Sequence, residues 1–171
     1  MSAEQDRRRW NQRYRARSER PESHTRLGEY VHLLRGGRAL DLGAGLGRNA
    51  DLLGGWSVIL VDISDVAMRL ATGARVVADA EALPFPESSF ETIVCTFFKP
   101  PLDLARFLRP GGTLFLETFT MEDGKYRPDF PPIYRMSGSD VSVLFQGMIT
   151  VHWEERDDGE RVKGVFVGRK V

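Results

Sequence analysis

Two acids and three glycines form the densest chemical signal in the chain. Asp41 is followed by Gly43, Gly45 and Gly47, and Asp62 stands 21 residues after Asp41. Glycine adopts φ > 0 and has no Cβ to hold a ligand off the backbone, so alternate glycines suit a bend on which a small molecule rests. An acid about 20 residues further on, at the end of a second strand, can accept from both hydroxyls of a ribose. The dinucleotide pattern G-x-G-x-x-G, counted from Gly43, requires a third glycine where the chain has Arg48. On these residues alone, a plain strand-to-helix turn stays open as well.

The elements that must position these groups follow from patterning. Residues 39–42 are an apolar run that reads as a buried strand, and a helical pattern starts at Asn49 with Ala50, Leu52 and Leu53. A second strand, 58–61, ends at Asp62; Ser64 caps a short helix carrying Val66, Ala67 and Leu70. A third strand, 75–78, ends at Asp79, and 91–98 reads as a fourth, apolar on both faces and therefore central in a parallel sheet. A short helix is expected over 103–108. Residues 120–136 lack periodicity but hold Tyr126, Phe130 and Tyr134, and a long aromatic loop in a compact chain suits a substrate wall as well as a surface excursion. A helix from Ser137 or Ser139 and a hairpin around Asp157-Asp158-Gly159 close the chain. Ahead of the first strand, residues 3–20 are basic and polar. Trp10 and Tyr14 are four apart and share a helical face, which reads as a solvated helix docking two aromatics, as a lid, or as a basic arm. A second helix is expected from Thr25, with Leu27, Tyr30, Val31 and Leu34 on one face, ending at Gly36-Gly37.

The run D-x-G-x-G-x-G from Asp41 to Gly47 resembles the first motif of the class I S-adenosylmethionine-dependent methyltransferases. Asp79-Ala-Glu-Ala-Leu-Pro-Phe-Pro-Glu-Ser-Ser-Phe90-Glu91 resembles a further run of that family, and Leu108-Arg-Pro-Gly-Gly-Thr-Leu114 its turn into the fifth strand. Trp10-x-x-Arg13-Tyr14 is similar to an N-terminal motif of tellurite-resistance-type and thiopurine-type methyltransferases, small-molecule enzymes near the methyltransferase type 11 group. The resemblance implies a doubly wound, Rossmann-like α/β sheet, mostly parallel, of order 3-2-1-4-5-7-6 with an antiparallel C-terminal strand. It implies a single domain over 1–171, with 1–35 a helical lid and 36–171 the core. It further implies S-adenosyl-L-methionine as cofactor, held by Asp41, Gly43, Ala44, Gly45, Gly47, Asp62, Ile63, Asp79, Ala80 and Thr96, with Trp10, Arg13 and Tyr14 over it. The acid at Asp79 and the amide at Ala80 would meet the adenine edge.

There are departures. Glu91 stands where the family has Asp. Phe98-Lys-Pro-Pro-Leu102 has neither the amide or acid nor the aromatic of nucleic-acid amino-methylating enzymes. The segments 64–71 and 101–108 are short, so either a partner subunit, as in a homodimer, covers those faces or the sheet is narrower.

In-line methyl transfer from a sulfonium requires alignment of donor and acceptor and needs no protein nucleophile and no metal. A soft ionised acceptor needs no base; a hydroxyl or ammonium does, and His24 is the candidate. The acceptor is expected to be a small molecule. Equal numbers of acidic and basic side chains give no global field for nucleic acid or an anionic membrane. No apolar stretch reaches 18 residues, and with no signal-peptide pattern the cytoplasm is the default compartment. The lone Cys95 lies in an apolar run and reads as core. Two other readings stand beside the methyltransferase: a non-catalytic S-adenosylmethionine-binding or protein-interaction domain, and a nucleotide-dependent oxidoreductase, against which Arg48 and Pro110-Gly-Gly112 argue.

Overall fold

The computed structural model describes residues 2–16 and 25–171. Seven strands form one sheet of order β3-β2-β1-β4-β5-β7-β6: β1 Arg38–Leu42, β2 Ser57–Asp62, β3 Ala74–Val77, β4 Phe90–Thr96, β5 Leu108–Phe119, β6 Met148–Asp157 and β7 Val162–Lys170. The first five pair in parallel, while β7 runs antiparallel to both β5 and β6. The sheet thus has its full width, and the narrower alternative for the shortened crossovers is set aside.

Side chains alternate across the sheet because successive Cβ atoms on a strand point to opposite faces. Leu40, Leu42, Ile93, Cys95, Leu114, Leu116 and Phe166 bury on one face; Ala39, Val94, Phe115, Val165 and Val167 bury on the other, with Leu27 and Tyr30. The β6–β7 hairpin forms where Gly159 takes φ +87° and its amide donates to the Asp157 carboxylate at 3.0 Å.

The helices are α1 Ala3–Arg15, α2 Leu27–Tyr30, α3 Asp65–Leu70 and α4 Gly138–Leu144. Ser64 caps α3 by accepting from the Ala67 amide, and Ser137, not Ser139, caps α4 in a reciprocal arrangement with Asp140. Several expected helices are single 3₁₀ turns instead. The segment after the glycines is a turn over Asn49–Leu52, the helix from Thr25 breaks into α2 and a turn over Val31–Leu33, and 103–108 reduces to Leu104–Phe107. Leu52 is exposed, so the apolar spacing that suggested a longer helix after the glycines has no surface to bury against there. Pro110-Gly111-Gly112 lies inside β5 and not in a turn before it, where the register slips between Phe90↔Leu108 and Thr92↔Thr113. A Cβ on Gly112 would sit 2.8 Å from the Arg109 carbonyl oxygen, so close backbone approach, and not a turn, requires glycine there.

Candidate functional site

Asp41 and Asp62 end adjacent parallel strands, which carries both carboxylates to the same edge of the sheet. Asp62 is nearly buried; its Oδ2 accepts from the Gly45 amide at 2.9 Å and its Oδ1 from the Ser64 amide at 2.8 Å. Burial raises its pKa and the backbone hydrogen bonds oppose that rise. Asp41 is fully buried. Its Oδ1 accepts from Asn49 Nδ2 at 2.9 Å, and its Oδ2 has no partner. Desolvation first, with the Asp62 charge adding to it against the Asn49 hydrogen bond, lifts Asp41 to about 7. Asn49 also donates to Thr96 Oγ1 at 3.0 Å, so one amide ties the tips of β1 and β4 together. Asn49 opens what the spacing reads as a helix, and an Asn eight residues after Asp41 carries no pattern that marks this role.

The three glycines do different work. All have φ between +56° and +75°. Gly43 is exposed, and a Cβ there would lie 2.7 Å from the Phe98 ring. Gly47 is buried against Leu60 and Ala71, so it serves packing between bend and strand. Gly45 is covered by Tyr14, whose hydroxyl stands 2.5 Å from the position of a Cβ. The bend expected to be bare is therefore met by side chains, and Ala44 packs beneath it with Tyr14, Leu60 and Val66.

Helix α1 brings Tyr14 there. Ser2 caps it in a reciprocal arrangement with Gln5. Asn11 fastens it to α3, donating to Asp65 Oδ1 at 2.6 Å and accepting from Ser64 Oγ at 2.7 Å. Trp10 stacks on Tyr14 with centroids 6.1 Å apart. Arg13 is exposed and lies over the Trp10 ring at 5.3 Å. Ile63 is half-buried between Asp62 and Ser64. Asp79 and Ala80 are half-buried; Asp79 Oδ1 accepts from the Glu81 amide at 3.0 Å and so caps its own turn. His24 lies outside the described residues.

Beyond β4 the backbone is strained. The expected strand to Phe98 stops at Thr96 because Phe97 adopts φ +63°, a conformation that bulky residues rarely take and that clusters at functional sites. The Phe97 amide donates to the Glu117 carbonyl at 2.7 Å. Its ring begins a ladder: Phe97 to Phe119 at 6.1 Å, Phe119 to Phe130 at 5.9 Å, Phe130 to Tyr134 at 5.8 Å. Residues 120–136 form two 3₁₀ turns, Met121–Lys125 and Pro132–Tyr134. They are pinned by buried Asp123, which accepts from the Val162 amide at 3.0 Å and from Arg127 Nε at 2.9 Å. Arg127 stacks over Phe119 and Phe130 at 4.0 and 4.4 Å. The guanidinium of Arg9 lies 5.7 Å from the Tyr134 ring, which joins the loop to α1.

Under that ladder, Glu117 on β5 is fully buried and in register with Thr96. Its Oε2 accepts from Thr25 Oγ1 at 2.6 Å and from the Arg26 amide at 2.8 Å, while its Oε1 has no partner. A separate cleft of about 500 Å³ lies between Thr120, Met136, Val141, Trp153 and Phe166, and includes none of the acids or glycines above. Among the described residues no helix is long and apolar enough to cross a membrane.

Residues 40–116 match the model of a family described as "Methyltransferase domain". Solved structures share the fold. A S-adenosylmethionine-dependent methyltransferase from Methanosarcina mazei superposes with a TM-score of 0.67 at 19% identity, covering 82% of this chain and 96% of that one. A protein from Pyrococcus horikoshii gives 0.71 at 16% identity, covering 94% and 99%. A S-adenosylmethionine-dependent methyltransferase from Aquifex aeolicus gives 0.64 at 18% identity, covering 84% and 89%. No curated protein matches the sequence.

Proposed function

We propose that this protein, whose residues 40–116 match the methyltransferase-domain model and whose sheet has the fold of S-adenosylmethionine-dependent methyltransferases, transfers a methyl group in line to a small-molecule acceptor. S-adenosyl-L-methionine is its cofactor. The observation that carries the reading is the paired placement of Asp41 and Asp62 at one sheet edge, with the Gly45 amide fastened to Asp62.

The residues fit this cofactor. Asp62 spends one lone pair of each oxygen on a backbone amide and keeps the others for the two ribose hydroxyls. The orphaned Oδ2 of Asp41 suits the ammonium of the methionyl end, a buried acceptor otherwise left at a cost of about 1–3 kcal/mol. Gly43 is exposed beside the Phe98 ring. Asp79 and the Ala80 amide would take the adenine edge, with Trp10 and Tyr14 over the cofactor. When bound, the cofactor supplies a methyl group already activated by a positively charged sulfur. The chain's own task is to exclude water and hold the acceptor in line, an effect worth about 7–11 kcal/mol in well-aligned cases. The Phe97–Tyr134 ladder is the wall against which the acceptor rests, with α1 as the lid.

Calorimetry with S-adenosylhomocysteine and with NAD tests the cofactor, and methylation of a panel of amines, alcohols, thiols and oxyanions tests transfer. The expected result is binding of the first ligand only and turnover on at least one acceptor. Binding without turnover across the panel favours a non-catalytic S-adenosylmethionine-binding domain. Failure to bind S-adenosylhomocysteine refutes the reading.

A further inference from the structure

We propose that Glu117 is the base of the acceptor site and that the acceptor is an amine carried on an aromatic or similarly flat apolar body. The inference rests on the methyltransferase reading above and names its acceptor class.

Glu117 is a fully buried carboxylate in register with Thr96, at the strained end of β4. It lies on the sheet face shared by Thr96 and Phe115, and its own carbonyl holds the Phe97 amide. Half of the carboxylate is fixed: Oε2 takes two donors from the segment leading into α2. The other half, Oε1, has no hydrogen-bond partner although it is buried, and a buried acceptor left unmatched is costly unless a ligand supplies the donor. Two residues along β5 on the same face, Phe119 joins Phe97, Phe130 and Tyr134, all half-buried, in the aromatic ladder. These rings already accept a flat cation, since the Arg127 guanidinium stacks on two of them. A carboxylate at the foot of aromatic faces selects a positively charged nitrogen over a neutral hydroxyl or an anionic thiolate.

The step balances. The acceptor arrives as R–NH₃⁺, and Glu117 takes one proton to leave the neutral amine. The nitrogen lone pair then forms the new N–C bond as the S–C bond breaks, with the bonding electrons passing to sulfur. The product is R–NH₂⁺–CH₃, and the carboxyl proton leaves to water after release. Burial raises the pKa of Glu117, while Thr25, the Arg26 amide and the charges of Lys163 on β7 and Arg26 ahead of α2 oppose the rise. The group is therefore a stronger base than a solvated glutamate.

The test compares phenethylamine, 2-phenylethanol and 2-phenylethanethiol by calorimetry on the full chain saturated with S-adenosylhomocysteine, and then as methyl acceptors. On the unaltered chain the amine should bind about tenfold or more tighter than the alcohol and thiol, the worth of one charge-assisted hydrogen bond. Glu117→Gln should remove that preference, leave S-adenosylhomocysteine affinity unchanged and abolish the acidic limb of the rate profile; Glu117→Asp should restore part of the preference. An amine no tighter than its alcohol, or a preference that survives Glu117→Gln, overturns the proposal. A chain that fails to bind S-adenosylhomocysteine overturns instead the methyltransferase reading beneath it. The preference on the unaltered chain needs no variant and stands even where Glu117→Gln folds poorly.

Discussion

The hydroxyl of Tyr14 lies 2.5 Å from where a side chain on Gly45 would begin, so the N-terminal helix and the glycine bend are fitted to each other. Gly45→Ala should be harmful twice over: φ +56° strains any Cβ, and the new methyl meets the tyrosine. The expected loss of stability is about 1–3 kcal/mol. Tyr14→Phe in the same chain should recover the steric part alone. Equal melting temperatures for Gly45→Ala and the unaltered protein would remove this contact from the account.

Removing Asp62 tests the proposed ribose contact. Asp62→Ala strands the Gly45 and Ser64 amides as well as the ligand's hydroxyls, and should weaken S-adenosylhomocysteine binding by about 1–3 kcal/mol. Unchanged affinity by calorimetry takes Asp62 out of the site.

Much of this was legible in the chain, and the reasons for the rest are local. Asp41, the glycines, Asp62 and Ser64 announce themselves because strand ends and helix caps demand particular residue types. The order of the strands was implied by the family resemblance that those motifs carry, and the sheet has it. Asn49 and Asn11 were invisible: each acts through one side chain bridging elements distant in sequence, Asn49 from the bend to Thr96 and Asn11 from α1 to Ser64 and Asp65. The break at Phe97 was invisible too, since an aromatic after Thr96 looks like more strand until its backbone is seen at φ +63°. The crossovers after β1 and β4 came out as single turns because helical spacing of apolar residues fixes a helix only when a surface receives them; Leu52 remains 37% exposed.

Asp41 links pH to both stability and binding. Its folded value, about 7, stands above its ordinary 3.8. Between those values the folded chain holds a proton that the unfolded chain has released, so this group's contribution to stability falls as pH rises through that window and is level above it. Binding runs the other way, because an ammonium requires the ionised carboxylate. S-adenosylhomocysteine affinity should climb between about pH 6 and 8, with a proton released on binding below about pH 7, and Asp41→Asn should flatten the climb. Calorimetry in buffers of different ionisation enthalpy reads the proton directly; a flat profile in the unaltered chain contradicts the assignment.

Asn11 fastens α1 to α3. Asn11→Ala removes the donor to Asp65 and the acceptor for Ser64, leaving α1 attached mainly through Tyr14 and Trp10. Limited digestion with trypsin should then cut faster at Arg7, Arg8 and Arg9, and saturating S-adenosylhomocysteine should slow that cutting if the helix closes over the cofactor. Cutting rates identical to the parent protein would show that the aromatics alone suffice.

Among the described residues β5 alone joins both halves of the sheet, parallel to β4 on one side and antiparallel to β7 on the other. From Thr113 to Phe119 every residue has a partner on β7, so a chain cut ahead of Met148 would leave β5 with a long unpaired border. Such a border recruits whatever strand it meets, most readily another copy of itself. The terminal hairpin is in this sense a selvedge: it keeps the parallel half from fraying into aggregates.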